Sequence, residues 1–142
     1  MDAKKYLQQV SKLNKLIENK MIEKEQWKAI AISTGTFSDG ERVQSSGSQQ
    51  KMADAVCKCV DIERELDDCI DRYIDTKNEV IHTIEQLPAV EYDVLHKIYI
   101  QEKTLADVAA ICDRAYSWAT TIHGRALKMV QDMLDGREGS NV

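Results

Sequence analysis

One proline and one phenylalanine in 142 residues, with aromatics at 6% and only six glycines, leave too little turn and pleated-sheet material for a β-sandwich or barrel. No apolar run approaches the ~20 residues that a membrane span needs. The opening Met1-Asp2-Ala3-Lys4-Lys5 leads into an amphipathic segment, not the apolar stretch of a secretory signal, so a cytoplasmic location without membrane contact is expected. Bulk basic charge is missing too: the formal net charge is −5, which argues against indiscriminate binding to nucleic acid. Catalytic and metal-binding spacings are also lacking. His82, His96 and His123 are far apart, and no Gly-x-Ser-x-Gly or His-Glu-x-x-His occurs. Cys57 and Cys59 lie two apart on an expected helix and point different ways, so they are read with Cys69 and Cys112 as free thiols. No enzyme activity, cofactor or metal is expected.

What the chain has is charge, at 30%, interleaved with apolar residues at helical spacing. From about Lys4 to Ile32, Tyr6, Val10, Leu13, Ile17, Met21, Trp27 and Ile30 recur at three- and four-residue steps. Ser33 to Gln50 breaks this pattern with Ser and Gly and reads as a loop, holding Phe37 and Val43 and a local turn at Ser38-Asp39-Gly40. No phosphate-cradling glycine spacing accompanies it. From Lys51 to about Gln86 a second long helix follows, with Met52, Val56, Cys59, Val60, Leu66, Ile70, Tyr73, Val80, Ile81 and Ile84 as its seam. Two such helices joined by a loop hide their stripes most economically as an antiparallel hairpin over residues 1–86, with a free face for a second copy, hence an expected homodimer. The second helix is acidic, with ten acidic against five basic residues over Lys51–Gln86. A solvated face is the simpler reading of that acid; docking on a basic partner is the sharper one.

Residues 87–135 form the part around which the rest is organised. Pro88 opens a new helix carrying Val90, Val94, Leu95 and Ile98, and Gln101-Glu102-Lys103 connects onward. Thr104 and Asp107 have the spacing of a capping box. Leu105, Val108, Ala109 and Cys112 then share one face. Asp113-Arg114 breaks the period, and a second one starts near Ala115, with Trp118, Ala119, Ile122, Ala126, Met129 and Met133 on its buried side. Two short helical periods joined by a tight turn describe a helix-turn-helix, in which the second helix enters the major groove of DNA. The opposite face of that second helix offers Ser117, Thr120, Thr121 and Gly124, flanked by Tyr116 and Lys128, all compatible with a groove. From Asp113 to Gln131 three basic residues (Arg114, Arg125 and Lys128) face one acidic residue, so this segment is locally positive. Residues 136–142 read as a flexible tail.

The run Leu87-Pro88, Glu91, Val94-Leu95, Tyr99, Leu105, Val108-Ala109, Ile122 and Arg125-Ala126-Leu127 resembles region 4 of bacterial sigma-70-type initiation factors, without a gap. Tyr116-Ser117-Trp118 followed by Ile122-His123-Gly124-Arg125 is similar to small phage-encoded regulators of the RinA and ArpU type, which are linked to late-gene transcription. Asp113 stands where such turns usually carry Gly, and Ala115 where they carry a capping Ser or Thr.

Together with the composition and the helical periodicity, the resemblance leads to an all-α expectation: the long antiparallel hairpin, read from its apolar stripes, followed by a sigma region 4-like helix-turn-helix. It also implies that Tyr116, Ser117, Thr120 and Thr121 read bases of double-stranded DNA. Arg114, Arg125 and Lys128 are the expected phosphate contacts, with Gly124 beside them, and host RNA polymerase is a further expected partner. A phage small terminase subunit that recognises packaging-site DNA, or an adaptor that binds polymerase or a sigma factor without DNA, would suit the same pattern.

Overall fold

The computed structural model describes residues 1–36 and 46–140, and all regular structure among them is helical. Five α-helices follow one another: α1 (Ala3–Thr36), α2 (Ser46–Ile84), α3 (Ala89–Leu95), α4 (Leu105–Ile111) and α5 (Tyr116–Ser140). A π-helical segment, His96–Ile100, continues α3 directly. Among the described residues no helix is long and apolar enough to cross a membrane. The expected loop narrows from both sides, because Ser33 to Thr36 belong to α1 and Ser46 to Gln50 to α2. Phe37, Val43 and the turn expected at 38–40 lie outside the described residues.

The chain divides into two compact units. The first, Asn14–Arg72, is tied by Lys20 to Glu65 at 2.6 Å and Lys24 to Glu63 at 2.8 Å. Residue numbers rise along one helix as they fall along the other, so the two segments run in opposite directions. Each lysine is held protonated above its ordinary range by the hydrogen bond to its carboxylate, and Glu63 and Glu65 are lowered in turn. The carboxylates are exposed and the lysines half-buried, and pairs at such a surface contribute little to stability.

On α2 in this unit the buried residues are Ala55, Ile62, Leu66 and Cys69; of the expected seam Leu66 is buried, whereas Met52, Val56, Val60 and Ile70 are exposed. The buried set keeps helical steps of seven, four and three, and its small members, Ala55 and Cys69, are ones that a reading by hydrophobicity passes over. On α1, Met21 and Ile30 are likewise exposed, while Ile17 and Trp27 are half-buried. Among the described residues of this unit several large apolar side chains, Met21, Ile22, Ile30, Val56 and Ile70 among them, stay in water.

The second unit joins Met1–Leu13 to the chain from Tyr73 onward. Its core brings together Tyr6, Leu7 and Val10 of α1, Val80 and Ile84 of α2, Leu95 and Tyr99, and Ala126, Val130 and Leu134 of α5. A smaller cluster of Val94, Val108 and Ile122 sits with half-buried Ile98, Cys112 and Trp118. Val90, expected on the inner face of α3, is exposed.

Polar bonds complete this packing. Thr83 is fully buried and takes hydrogen bonds with the Tyr6 hydroxyl at 2.9 Å and from the Arg137 guanidinium at 3.0 Å. Gln131 Oε1 accepts from the Ala3 amide at 2.7 Å. These bonds explain why α5 continues through Gly136 to Ser140, where the sequence predicts an unstructured tail. Leu134 is buried just before Gly136, and Arg137 just after it is anchored on Thr83. Residues 141–142 of that tail lie outside the described residues.

Candidate nucleic-acid interface

α4 and α5 are started and stopped by local chemistry that the sequence carries. The Thr104 hydroxyl accepts from the Asp107 amide at 3.1 Å, and Asp107 accepts from the Thr104 amide at 3.0 Å, closing the capping box. The Thr104 amide also holds the Asp107 carboxyl below its usual range. Past Ile111 the helix ends on Asp113 at φ 53°. There the Arg114 amide donates to Ala109 at 2.9 Å and the Asp113 amide to Ala110 at 3.2 Å. That pair of bonds is a Schellman ending with its left-handed residue at Asp113, a role Asp fills less easily than Gly. Glu102, in the preceding connector, also has positive φ, 58°; nothing in its residue type announces this.

Three α5 residues later a division of faces begins. Ala119, Ile122, Ala126 and Val130 are buried, at steps of three and four. Ser117, Thr121, Gly124 and Lys128, also at steps of four, three and four, are all exposed, and on a helix that spacing makes one stripe. Thr120 flanks it half-buried, while Tyr116, Arg114 and Arg125 are exposed. A Cβ built at Gly124 would meet nothing within 4 Å. The eight residues expected to face DNA are therefore all on one helix and its approach, and none is sealed in the core. Met129 and Met133, expected inward, are only half-buried; Val130 and Leu134 take the interior positions.

Two features were not foreseeable from residue type. Thr121 donates its hydroxyl hydrogen to the Ser117 carbonyl at 2.8 Å, and Thr120 does the same at 2.9 Å. The two arginines are also engaged. The Arg114 guanidinium lies 5.6 Å from the centre of the Trp118 ring, which is half-buried, its inner side in the smaller cluster. Arg125 Nη1 lies 3.5 Å from Glu91 Oε1.

The Glu91 side chain is 8% exposed and that of Arg125 55%, so the pair is asymmetric. Arg125→Ala leaves a carboxylate buried without its cation and is expected to cost roughly 1–3 kcal/mol. Glu91→Gln leaves a guanidinium that water can reach and should cost less. Urea denaturation of the two variants measures the order.

His123, between the stripe and the core, is a packing residue. Its Nε2 lies 2.7 Å from the Tyr99 hydroxyl and the rings stack at 5.7 Å. Burial, with a smaller contribution from Lys4, lowers its pKa, and burial pushes Tyr99 up to about 12. Both shifts favour a neutral pair in which the phenol donates to the imidazole. The unfolded chain protonates His123 first, so stability from this pair is whole above about pH 6.5 and declines as the pH falls toward the lowered value. On the alkaline side it is lost as the pH rises from about 10 toward the raised value of Tyr99. Denaturation midpoints measured from pH 5 to 8 are expected to fall on the acid side, and less so in His123→Gln.

Among the described residues no group of three or more His, Cys, Asp or Glu side chains could hold a metal ion. Comparison of the chain with protein-family models, with curated proteins and with solved structures found no match.

Proposed function

We propose that the chain is a phage-type DNA-binding transcription regulator, a binding protein and not an enzyme, acting in the host cytoplasm. α4, the turn through Asp113 and α5 act as a helix-turn-helix, with α5 in the major groove. The observation that carries this reading is the exposed stripe of Ser117, Thr121, Gly124 and Lys128 on a helix whose other side is fixed in a core. Small side chains let the helix axis approach the base edges, and a flank of Arg114, Arg125 and Lys128 meets phosphate. The action proposed is activation of late genes: the stripe selects a promoter and a protein surface recruits RNA polymerase.

With at most three basic contacts, Arg125 and Lys128 on α5 and Arg114 just before it, one copy binds weakly, since affinity for DNA comes largely from neutralised phosphates. A homodimer, joined through the α1 and α2 segments of the Asn14–Arg72 unit, is proposed with it. Its support is the row of exposed Met52, Val56, Val60 and Ile70 on α2, which a second copy would cover. Sedimentation equilibrium separates this dimer from the ring expected of a small terminase subunit. Selection of purified protein against random-sequence duplex DNA tests the function itself. An enriched consensus is the expected outcome; an adaptor without DNA affinity enriches none.

A further inference from the structure

We infer that α5 reads A·T pairs through the thymine methyl group, with Thr121 as the specificity-determining residue. The inference rests on the DNA-binding reading above and adds the chemistry of the base that is recognised.

The strong readers of the major groove are side chains that offer two hydrogen-bonding prongs to one base: Arg or Lys to guanine, Asn or Gln to adenine. The exposed stripe of α5 has none at its centre. Lys128 is at its far end, Gly124 has no side chain, and the two arginines lie to the side, Arg114 against the Trp118 ring and Arg125 against Glu91. What remains are hydroxyls and a methyl.

A threonine hydroxyl carries a single hydrogen. In Thr121 that hydrogen is used on the Ser117 carbonyl, at 2.8 Å. The oxygen can then only accept from outside, so it cannot donate to a phosphate oxygen. It can accept from the amino group of adenine or cytosine. The other heavy substituent on the same Cβ is a methyl, whose match in the groove is the C5-methyl of thymine. An amino donor and a methyl occur together on an A·T pair, whereas a G·C pair has the donor without the methyl. The exposed Thr121 therefore fits A·T on two counts. Gly124, one turn on and open above its Cα, lets the backbone come close enough for a short side chain to reach.

The test uses the duplex enriched from the random library, synthesised once with thymine and once with deoxyuridine, which lacks only the methyl. Wild-type protein should prefer the thymine duplex by about fourfold for each methyl it covers. Thr121→Val keeps the methyl and should keep that preference. Thr121→Ser keeps the hydroxyl and should lose it, with circular dichroism confirming that both variants fold. Equal discrimination by the Ser variant and wild type, loss of discrimination in the Val variant, or an enriched consensus without thymine overturns the inference while leaving DNA binding in place. Failure to enrich or bind any duplex overturns the DNA-binding reading, and this inference with it.

Discussion

Thr121→Glu is expected to abolish association with duplex DNA while leaving the helical content and unfolding midpoint close to those of the wild-type protein. Thr121 is exposed and shares its stripe with Ser117, Gly124 and Lys128. A carboxylate there adds no steric conflict within the fold. On the DNA it sits at the base edges between two phosphate backbones, where an anion meets repulsion and offers only acceptors to a surface rich in acceptors. The substitution also adds an acid near Arg125 and Lys128 and so weakens the flanking phosphate contacts. A loss of at least two orders of magnitude in affinity is the expected scale, following the roughly 1–3 kcal/mol attached to one good base contact plus the charge effect. Electrophoretic mobility shift with circular dichroism on the same sample reads both halves of the expectation. A variant that binds like wild type shows that this face does not meet DNA.

Leu7→Ala is expected to destabilise the unit that carries α5 by roughly 2–5 kcal/mol, although Leu7 lies on α1 and far from α5 in sequence. It is fully buried, in one core with Val80, Ile84, Leu95 and Val130. That core is what holds the inner face of α5 still, so a cavity at Leu7 loosens the helix that carries the stripe. Against a typical total of about 5–15 kcal/mol, the loss is large enough to lower the thermal midpoint markedly and to raise the unfolded fraction at 37 °C. For the same reason a fragment that begins at Leu87 lacks Tyr6, Leu7, Val10, Val80 and Ile84, half of its core, and should not fold by itself. Thermal denaturation of the variant and the fragment measures both effects.

The parts of the fold that were readable in the sequence are those governed by local chemistry. The capping box at Thr104 and Asp107 needs only its own four residues, and it forms as the spacing predicts. The polar break at Asp113-Arg114 marks the turn, and Asp113 takes the left-handed conformation there. The inward set Ala119, Ile122 and Ala126 was readable because small and branched residues alternate with polar ones there.

Long-range choices were less legible. On α2 two stripes about 100° apart both carry apolar residues. A reading by periodicity takes Val56, Val60 and Ile70 together with Leu66, while the positions buried are Ala55, Ile62, Leu66 and Cys69. Nothing within α2 decides between them; only the partner helix does. The continuation of α5 to Ser140 depends on Thr83 receiving Arg137 across 54 positions, a contact that no periodicity announces. At the candidate interface the residue identities were readable, but the use of both threonine hydroxyls on the Ser117 carbonyl, and the parking of the two arginines on Trp118 and Glu91, are properties of the folded helix.

The most direct test of the central claim, that α5 lies in a DNA groove with its basic flank on the phosphates, is a fluorescence anisotropy titration of a labelled duplex across a salt series. With Arg114, Arg125 and Lys128 as the contacts, log affinity should fall linearly with log salt, with a slope of about −3 per protomer, reduced by about 1 in Lys128→Ala. Absence of binding at the lowest salt, or an affinity indifferent to both salt and Lys128, would contradict it.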